Sequence, residues 1–246
     1  MNRARFTIHC DEQTLELGER SLLMGTINVT PDSFSDGDHF FQTEKAIKQG
    51  ELLASEGADL LDVGGESTRP FSDPVPLEEE LRRVIPVVSE LAKRTSIPIS
   101  IDTCKAEAAR AALDAGATMI NDISALRFDP QMVELAATAK VPLVLMHMQG
   151  TPRTMQVEPH YGSLFSEIIA FLEERIQFAC AGGVSRDRII VDPGIGFGKT
   201  VNHNLLLIKH LDALATLGLP ILLGSSRKSF IGAVLDKEVT EREPGT

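Results

Sequence analysis

Met24-Gly-Thr-Ile-Asn28 runs directly into Val-Thr-Pro-Asp-Ser-Phe-Ser-Asp36. A short apolar segment thus ends in a polar, turn-rich loop. The same grammar recurs along the chain. Leu60-Leu-Asp-Val63 leads into Gly-Gly-Glu-Ser-Thr-Arg-Pro70, and Ser100-Ile-Asp-Thr103 and Met119-Ile-Asn-Asp122 follow. Leu143-Val-Leu-Met-His147, Ile189-Ile-Val-Asp-Pro-Gly194 and Leu222-Leu-Gly-Ser-Ser-Arg-Lys228 complete the series. Amphipathic stretches separate the segments, near 43–56, 77–93, 105–115, 130–139, 161–181 and 202–214, and these are expected to be helices. Strands alternating with helices make a parallel sheet. If the sheet closes into a barrel, every polar strand end converges on one mouth, where barrel enzymes keep their active sites.

Ahead of this series, Phe6-Thr-Ile-His9 and Thr14-Leu-Glu-Leu17 flank Asp11-Glu-Gln and read as a β-hairpin. No low-complexity segment or long linker interrupts the 246 residues, so one domain spanning 1–246 is expected. Seven barrel strands are expected, and only eighteen residues follow Lys228. A further strand and helix need about 30. An eighth βα unit does not fit, so either the barrel is open, the sequence is a fragment, or a partner supplies the missing strand.

The hydrophobic fraction of 43% suffices for a large core, and the mean hydropathy is +0.01. A formal charge of −11 argues against nucleic acid or anionic membrane as a partner. Cys10, Cys104 and Cys180 are far apart and form no Cys-x-x-Cys, so a reducing cytoplasm is expected. Several motif matches fail. Gly194-Ile-Gly-Phe-Gly-Lys-Thr200 lacks the first glycine of a P-loop, and Ser225-Ser-Arg-Lys228 lacks the companion motifs of a serine acyl-enzyme. His147 is expected to pack or hydrogen-bond within a loop rather than act as a base. Cys104 is expected to pack at a helix start, a location able to lower its pKa.

Asp102, Asn121 and Asp192 stand at strand ends, joined by Lys228. One such residue is as readily a loop or helix cap as a ligand contact. Three together suit a flat amino-heterocycle with ring nitrogens and an exocyclic amine. Asn28, Thr30, Asp32, Asp36, Thr68, Arg69, Ser226 and Arg227 supply hard oxygens and cations, which suit Mg²⁺ and phosphate.

Met24 to Gly37 closely resembles the first signature of the dihydropteroate synthases, and Asp62-Val-Gly-Gly-Glu-Ser-Thr-Arg-Pro70 the second. Five further motifs follow in family order as far as Gly224-Ser-Ser-Arg-Lys-Ser-Phe230. The resemblance implies an α/β fold, a (β/α)8 TIM barrel with an N-terminal β-hairpin that lacks its eighth βα unit in this sequence. It implies a transferase of folate biosynthesis that joins 6-hydroxymethyl-7,8-dihydropterin diphosphate to p-aminobenzoate, and a sulfonamide target. Carried over by motif, Asp102, Asn121, Asp192 and Lys228 hold the pterin, and Asn28 binds Mg²⁺. Thr68, Arg69 and Ser226 lie near the diphosphate or the amine. Phe34, Pro70 and Phe71 belong to two loops that enclose the amine, and Phe197 and Arg227 line its approach. Asp36, Arg69 and Lys228 are the expected catalytic groups. The resemblance also implies a cytoplasmic homodimer. The family's eighth strand carries an Arg-x-His phosphate contact that this sequence lacks, so weak diphosphate affinity is expected. Two other functions fit less of the sequence: a methyltetrahydrofolate-binding methyltransferase barrel, and a noncatalytic pterin-binding fragment.

Overall fold

A computed structural model of the protein describes residues 4–30, 39–68 and 72–246, with main chain only at 39–41. Strands β1 (Phe6–Cys10) and β2 (Gln13–Leu17) pair antiparallel, from Phe6 opposite Leu17 to Cys10 opposite Gln13. Asp11, at φ 56°, makes the tight turn between them.

Six parallel strands follow among the described residues, and each pairs with the next in chain order. They are β3 (Met24–Asn28), β4 (Leu60–Gly64), β5 (Ile99–Asp102), β6 (Met119–Asp122), β7 (Leu143–Met146) and β8 (Ile189–Asp192). The connecting helices are α1 (His39–Ser55), α2 (Leu77–Arg94), α3 (Ala106–Asp114), α4 (Met132–Ala139) and α5 (Leu164–Ala181). Helices α6 (Val201–Lys209) and α7 (Ser229–Leu235) come after the last strand.

Strand residues alternate between two environments, as the period of two requires. Ile27, Leu61, Val63, Ile99, Ile101, Ile120, Leu143, Leu145, Ile189 and Val191 face the helices. There they bury against residues such as Val84, Leu91, Ala109, Leu135, Leu172 and Leu207. The opposite face changes character along its length. Near the strand starts, Met24, Leu60, Met119, Val144 and Ile190 cluster with Ile8, Cys10 and Leu15 of the hairpin. Near the strand ends, the inward residues are Asp62, Ser100, Asp102, Asn121 and Asp192.

The sheet is strongly curved. Asn121 Nδ2 on β6 donates to Asp62 Oδ2 on β4 at 3.1 Å, although β5 lies between these strands. Second-neighbour strands of a flat sheet stand roughly 10 Å apart. Their side chains meet here because the sheet wraps inward as barrel strands do.

Two expectations need correction. The seventh barrel segment is only a single bridge, Ile221 to Val191, held by Val191 N to Pro220 O (3.0 Å) and Leu222 N to Val191 O (2.9 Å). Pro220 has no N–H to extend the ladder, and Gly224 adds little strand preference. The helix expected over 202–214 is divided: α6 ends at Lys209 and a 3-10 helix covers Leu211–Leu217. His210 leaves helical geometry (φ −120°, ψ 38°), with its ring edge-on to Phe165. No helix among the described residues is long and apolar enough to cross a membrane.

Candidate active site at the strand ends

Parallel registry brings the polar residues together. Gly64, Asp102 and Asn121 stand opposite one another on β4, β5 and β6. Gly64 makes room for its neighbour, since a Cβ there would lie 3.3 Å from the Cβ and Oδ2 of Asp102. Asp192 ends β8 opposite Met146, and its Oδ1 accepts from Gly194 N at 2.6 Å. This Asp-Pro-Gly turn needs its glycine. Gly194 sits at φ 70°, and a Cβ would come within 1.9 Å of His147 O.

Lys228 crosses the mouth from the start of α7. Its Nζ lies 4.2 Å from the centre of the Phe197 ring, a cation–π contact. Its charge is felt by both Asp192 and Asp102. Phe197 is 6% exposed and forms an apolar wall with Ile123, Met146, Met148 and Met155. The site therefore has a ring of acid, amide and ammonium groups beside a flat apolar surface.

Burial governs its electrostatics. Asp192 is pushed up to about 6 by burial, against the opposing influence of Gly194 N–H, Lys228 and Lys199. Asp62 also rises to about 6 through burial, opposed by the Ser100 hydroxyl and then by the hydrogen bond from Asn121. Asp102 is raised well above the carboxylate range by enclosure in protein and then by the charges of Asp62, Glu80 and Asp122, which Lys228 opposes. Burial lowers Lys228, with Asp192 and Asp102 acting in the other direction. Asp62 Oδ1 and Ser100 Oγ are buried without a well-aligned hydrogen bond, although the hydroxyl is near enough to favour the Asp62 charge. So many acceptors out of water call for a ligand carrying several N–H donors.

Lys199 supports the wall from behind. Buried at 3% exposure, it donates to Phe197 O at 2.9 Å and lies 3.0 Å from His147 Nδ1. Burial holds Lys199 down to about 7, and burial with the Lys199 charge holds His147 far below its usual range. His147 is thus a neutral acceptor, in line with the packing role expected of it. Tyr161 donates to Gly198 O at 2.9 Å, so α5 begins at Leu164 rather than at Tyr161. Cys104 packs against this wall, as expected. Its thiol is raised rather than lowered, by burial and then by the Asp122 charge.

The structure gathers Asp102, Asn121, Asp192, Phe197 and Lys228 at one mouth. Asn28 is exposed at the end of β3, Thr68 is half-buried beyond β4, and Ser226 is exposed before α7. Arg227 is also exposed, and its Nε reaches Val239 O at 3.4 Å. Phe34, Asp36, Arg69, Pro70 and Phe71 fall outside the described residues. Asp62 and Lys199 are site residues that the sequence reading does not single out. Asp62 has one sequence signal, its place two residues before Gly64 on an alternating strand.

Residues 24–246 match the family described as pterin binding enzyme. A dihydropteroate synthase of Synechocystis sp. is 48% identical over 236 residues, covering 95% of this chain and 82% of that protein. A Xanthomonas albilineans dihydropteroate synthase solved with 4-aminobenzoic acid superposes with TM-score 0.92 at 47% identity, covering 98% of this chain and 86% of that one. A Xanthomonas albilineans enzyme in complex with 7,8-dihydropteroate gives TM-score 0.87 at 45% identity, over 97% of this chain and 85% of that one. A curved parallel sheet, a polar ring at its strand ends and kinship over nearly the whole length agree: the chain belongs to the pterin binding enzymes and, within them, to the dihydropteroate synthases.

Proposed function

We propose that the protein condenses 6-hydroxymethyl-7,8-dihydropterin diphosphate with p-aminobenzoate, giving 7,8-dihydropteroate and diphosphate. The observation that carries this is the buried ring of Asp62, Asp102, Asn121, Asp192 and Lys228 beside the Phe197 wall. A pterin ring is flat, rich in N–H donors and carries one carbonyl. Asp192, Asn121 and Asp102 accept from its amine and ring nitrogens, and the Lys228 ammonium donates to its oxygen. The relatives with 4-aminobenzoic acid and 7,8-dihydropteroate bound support this choice of ligands.

The chemistry is a displacement at the pterin methylene carbon. The C–O bond to diphosphate breaks and its electron pair leaves with diphosphate. Positive charge spreads from the methylene into the pterin ring. The buried carboxylates, together with Asp36 by family analogy, favour that charge in a site of low polarity. The aniline nitrogen of p-aminobenzoate then forms the C–N bond and releases a proton. No strong base is required, which suits a neutral, internally bonded His147.

Mg²⁺ fits as a companion of the substrate. Asn28 presents an exposed carboxamide at the end of β3, and the described residues contain no cluster of three or more His, Cys, Asp or Glu able to hold a metal. A single hard oxygen suits an ion bound mainly by water and phosphate. When bound, Mg²⁺ neutralises charge on the departing diphosphate. Thr68, Arg69 and Ser226 are assigned to the diphosphate or the amine's carboxylate, and Phe34, Pro70, Phe71 and Arg227 to enclosing the amine. Residues 1–246 acting as one domain, in a cytoplasmic homodimer, completes the proposal.

The test is formation of 7,8-dihydropteroate from both substrates with Mg²⁺, with competition by a sulfonamide against p-aminobenzoate. Pterin binding without any product would reject the synthase reaction and leave a binding protein.

A further inference from the structure

Two lysines lean on one glycine-rich loop, and only one of them belongs to the polar ring. Residues 194–198 follow β8 and carry Phe197. Lys228 Nζ sits 4.2 Å from the centre of the Phe197 ring, and its chain runs over Gly196, where a Cβ would come within 3.1 Å of Lys228 Cδ. Lys199 approaches the same loop at Gly194, where a Cβ would stand 3.4 Å from its Nζ. That Nζ donates to Phe197 O at 2.9 Å and meets His147 Nδ1 at 3.0 Å. His147 is itself held in place. Its ring meets Phe171 of α5 edge-on, with centres 4.9 Å apart, and its N–H donates to Asp192 O at 2.9 Å. Contacts therefore run without a break from α5 through His147, Lys199 and Phe197 to Lys228. Tyr161 and Gln156 also bond the loop, at Gly198 O (2.9 Å) and Gly196 O (2.6 Å), but Lys199 supplies the bond at Phe197 itself.

We infer that Lys199 is a positioning residue that acts through Phe197 to set where Lys228 meets the pterin. This rests on the pterin chemistry proposed above and deepens it. The hydrogen bonds of Lys199 go to Phe197 O and His147, and none goes to the polar ring. A methionine would fill the same space without the cost of burying an amine, so what the lysine adds is its donors. Burial holds Lys199 down to about 7, yet a neutral amine keeps two N–H groups, so both bonds persist on either side of that value.

Lys199→Met keeps the volume and removes the donors. Its dissociation constant for 6-hydroxymethylpterin should rise about ten- to a hundredfold, the scale of a displaced contact group. The same substitution in a Lys228→Met background should change that constant by about threefold or less, because the group that Lys199 places is already gone. General damage to the fold would instead weaken binding in both backgrounds alike. Tyr161 is the one tyrosine in a sequence without tryptophan, and it bonds Gly198 O. Its near-ultraviolet circular dichroism should change in Lys199→Met and stay as in the parent in Lys228→Met. If Lys199→Met does not fold, His147→Leu cuts the same link from its other end and must show the same coupling to Lys228. Parent-like affinity or tyrosine signal in Lys199→Met, or losses that add to those of Lys228→Met, would overturn the inference. If the parent protein binds the pterin but forms no product, the synthase reaction fails and the affinity cycle still decides the role of Lys199; a parent that binds no pterin overturns both.

Discussion

Asn121 Nδ2 reaches over β5 to donate to Asp62 Oδ2 at 3.1 Å, joining two strands that share no backbone pairing. The bond orients the carboxamide, turning its donor end towards Asp62. Asp62 thus fixes the orientation of the Asn121 carboxamide. Asn121→Leu removes the partner of a buried carboxylate and should cost about 1–3 kcal/mol at pH 7.5. Adding Asp62→Leu should recover much of that loss, since an apolar pair leaves nothing unsatisfied. Urea unfolding of the two variants checks this, and a double variant less stable than Asn121→Leu would refute it.

Asp192 should impose a pH-dependent stability cost. Its folded pKa, about 6, is above the 3.8 of a free carboxyl, so the folded state prefers the protonated form. That preference is fully expressed below pH 3.8 and is lost as pH rises through about 6. Asp192→Asn should therefore be more stable than the parent at pH 7.5, by on the order of 2 kcal/mol, and match it below pH 4. Its pterin affinity should drop by roughly 1–3 kcal/mol. Melting curves at the two pH values, with titration calorimetry of a pterin, test both parts.

Two glycines at positive φ should respond differently to a methyl group. Gly194→Ala drives Cβ into His147 O and should cost about 3 kcal/mol or more while displacing the Asp192 turn. At Gly57, φ is 100° and nothing lies within 4 Å of an added methyl, so Gly57→Ala should cost only about 1 kcal/mol. Equal denaturation midpoints for the two variants would contradict this reading of the Asp-Pro-Gly turn.

Arg175 holds an unusual piece of backbone behind Asn121. Ala125 and Leu126 both have positive φ, at 52° and 65°. Arg175 Nε donates to Ala125 O at 2.8 Å, and Asp122 accepts from Ser124 N and Leu126 N, each at 2.8 Å. Arg175→Met should destabilise by about 2–3 kcal/mol, through the buried carbonyls of Ala125 and Leu126 that it leaves without their donor. Its pterin affinity should fall too, because the loop begins next to Asn121. Chemical denaturation and a pterin titration provide the measurements.

Strand ends are legible in the sequence because each apolar run stops at a polar residue and a turn. That pattern alone places Asp102, Asn121 and Asp192 near one another. Asp62 escapes it because the residue lies inside a run, where only inward parity and registry with its neighbours reveal its direction. Lys199 escapes for a different reason: no local pattern foretells a lysine turned inward against His147 and a backbone carbonyl. Ile221-Leu-Leu223 reads as strongly as any strand, yet pairing depends on a neighbour's geometry and on the missing N–H of Pro220. Cys104 packs as its sequence position suggests, and its thiol is raised because its helix position matters less than its burial and the acid beside it.

The hairpin formed by Phe6–Leu17 has a consequence for traffic through the molecule. With Ile8, Cys10 and Leu15 stoppering the end where the strands begin, the polar ring faces the other way, towards the strand ends. In the proposed reaction a pterin held by Asp62, Asn121 and Asp192 is then the floor on which the amine lands, and the joined product leaves from that same end.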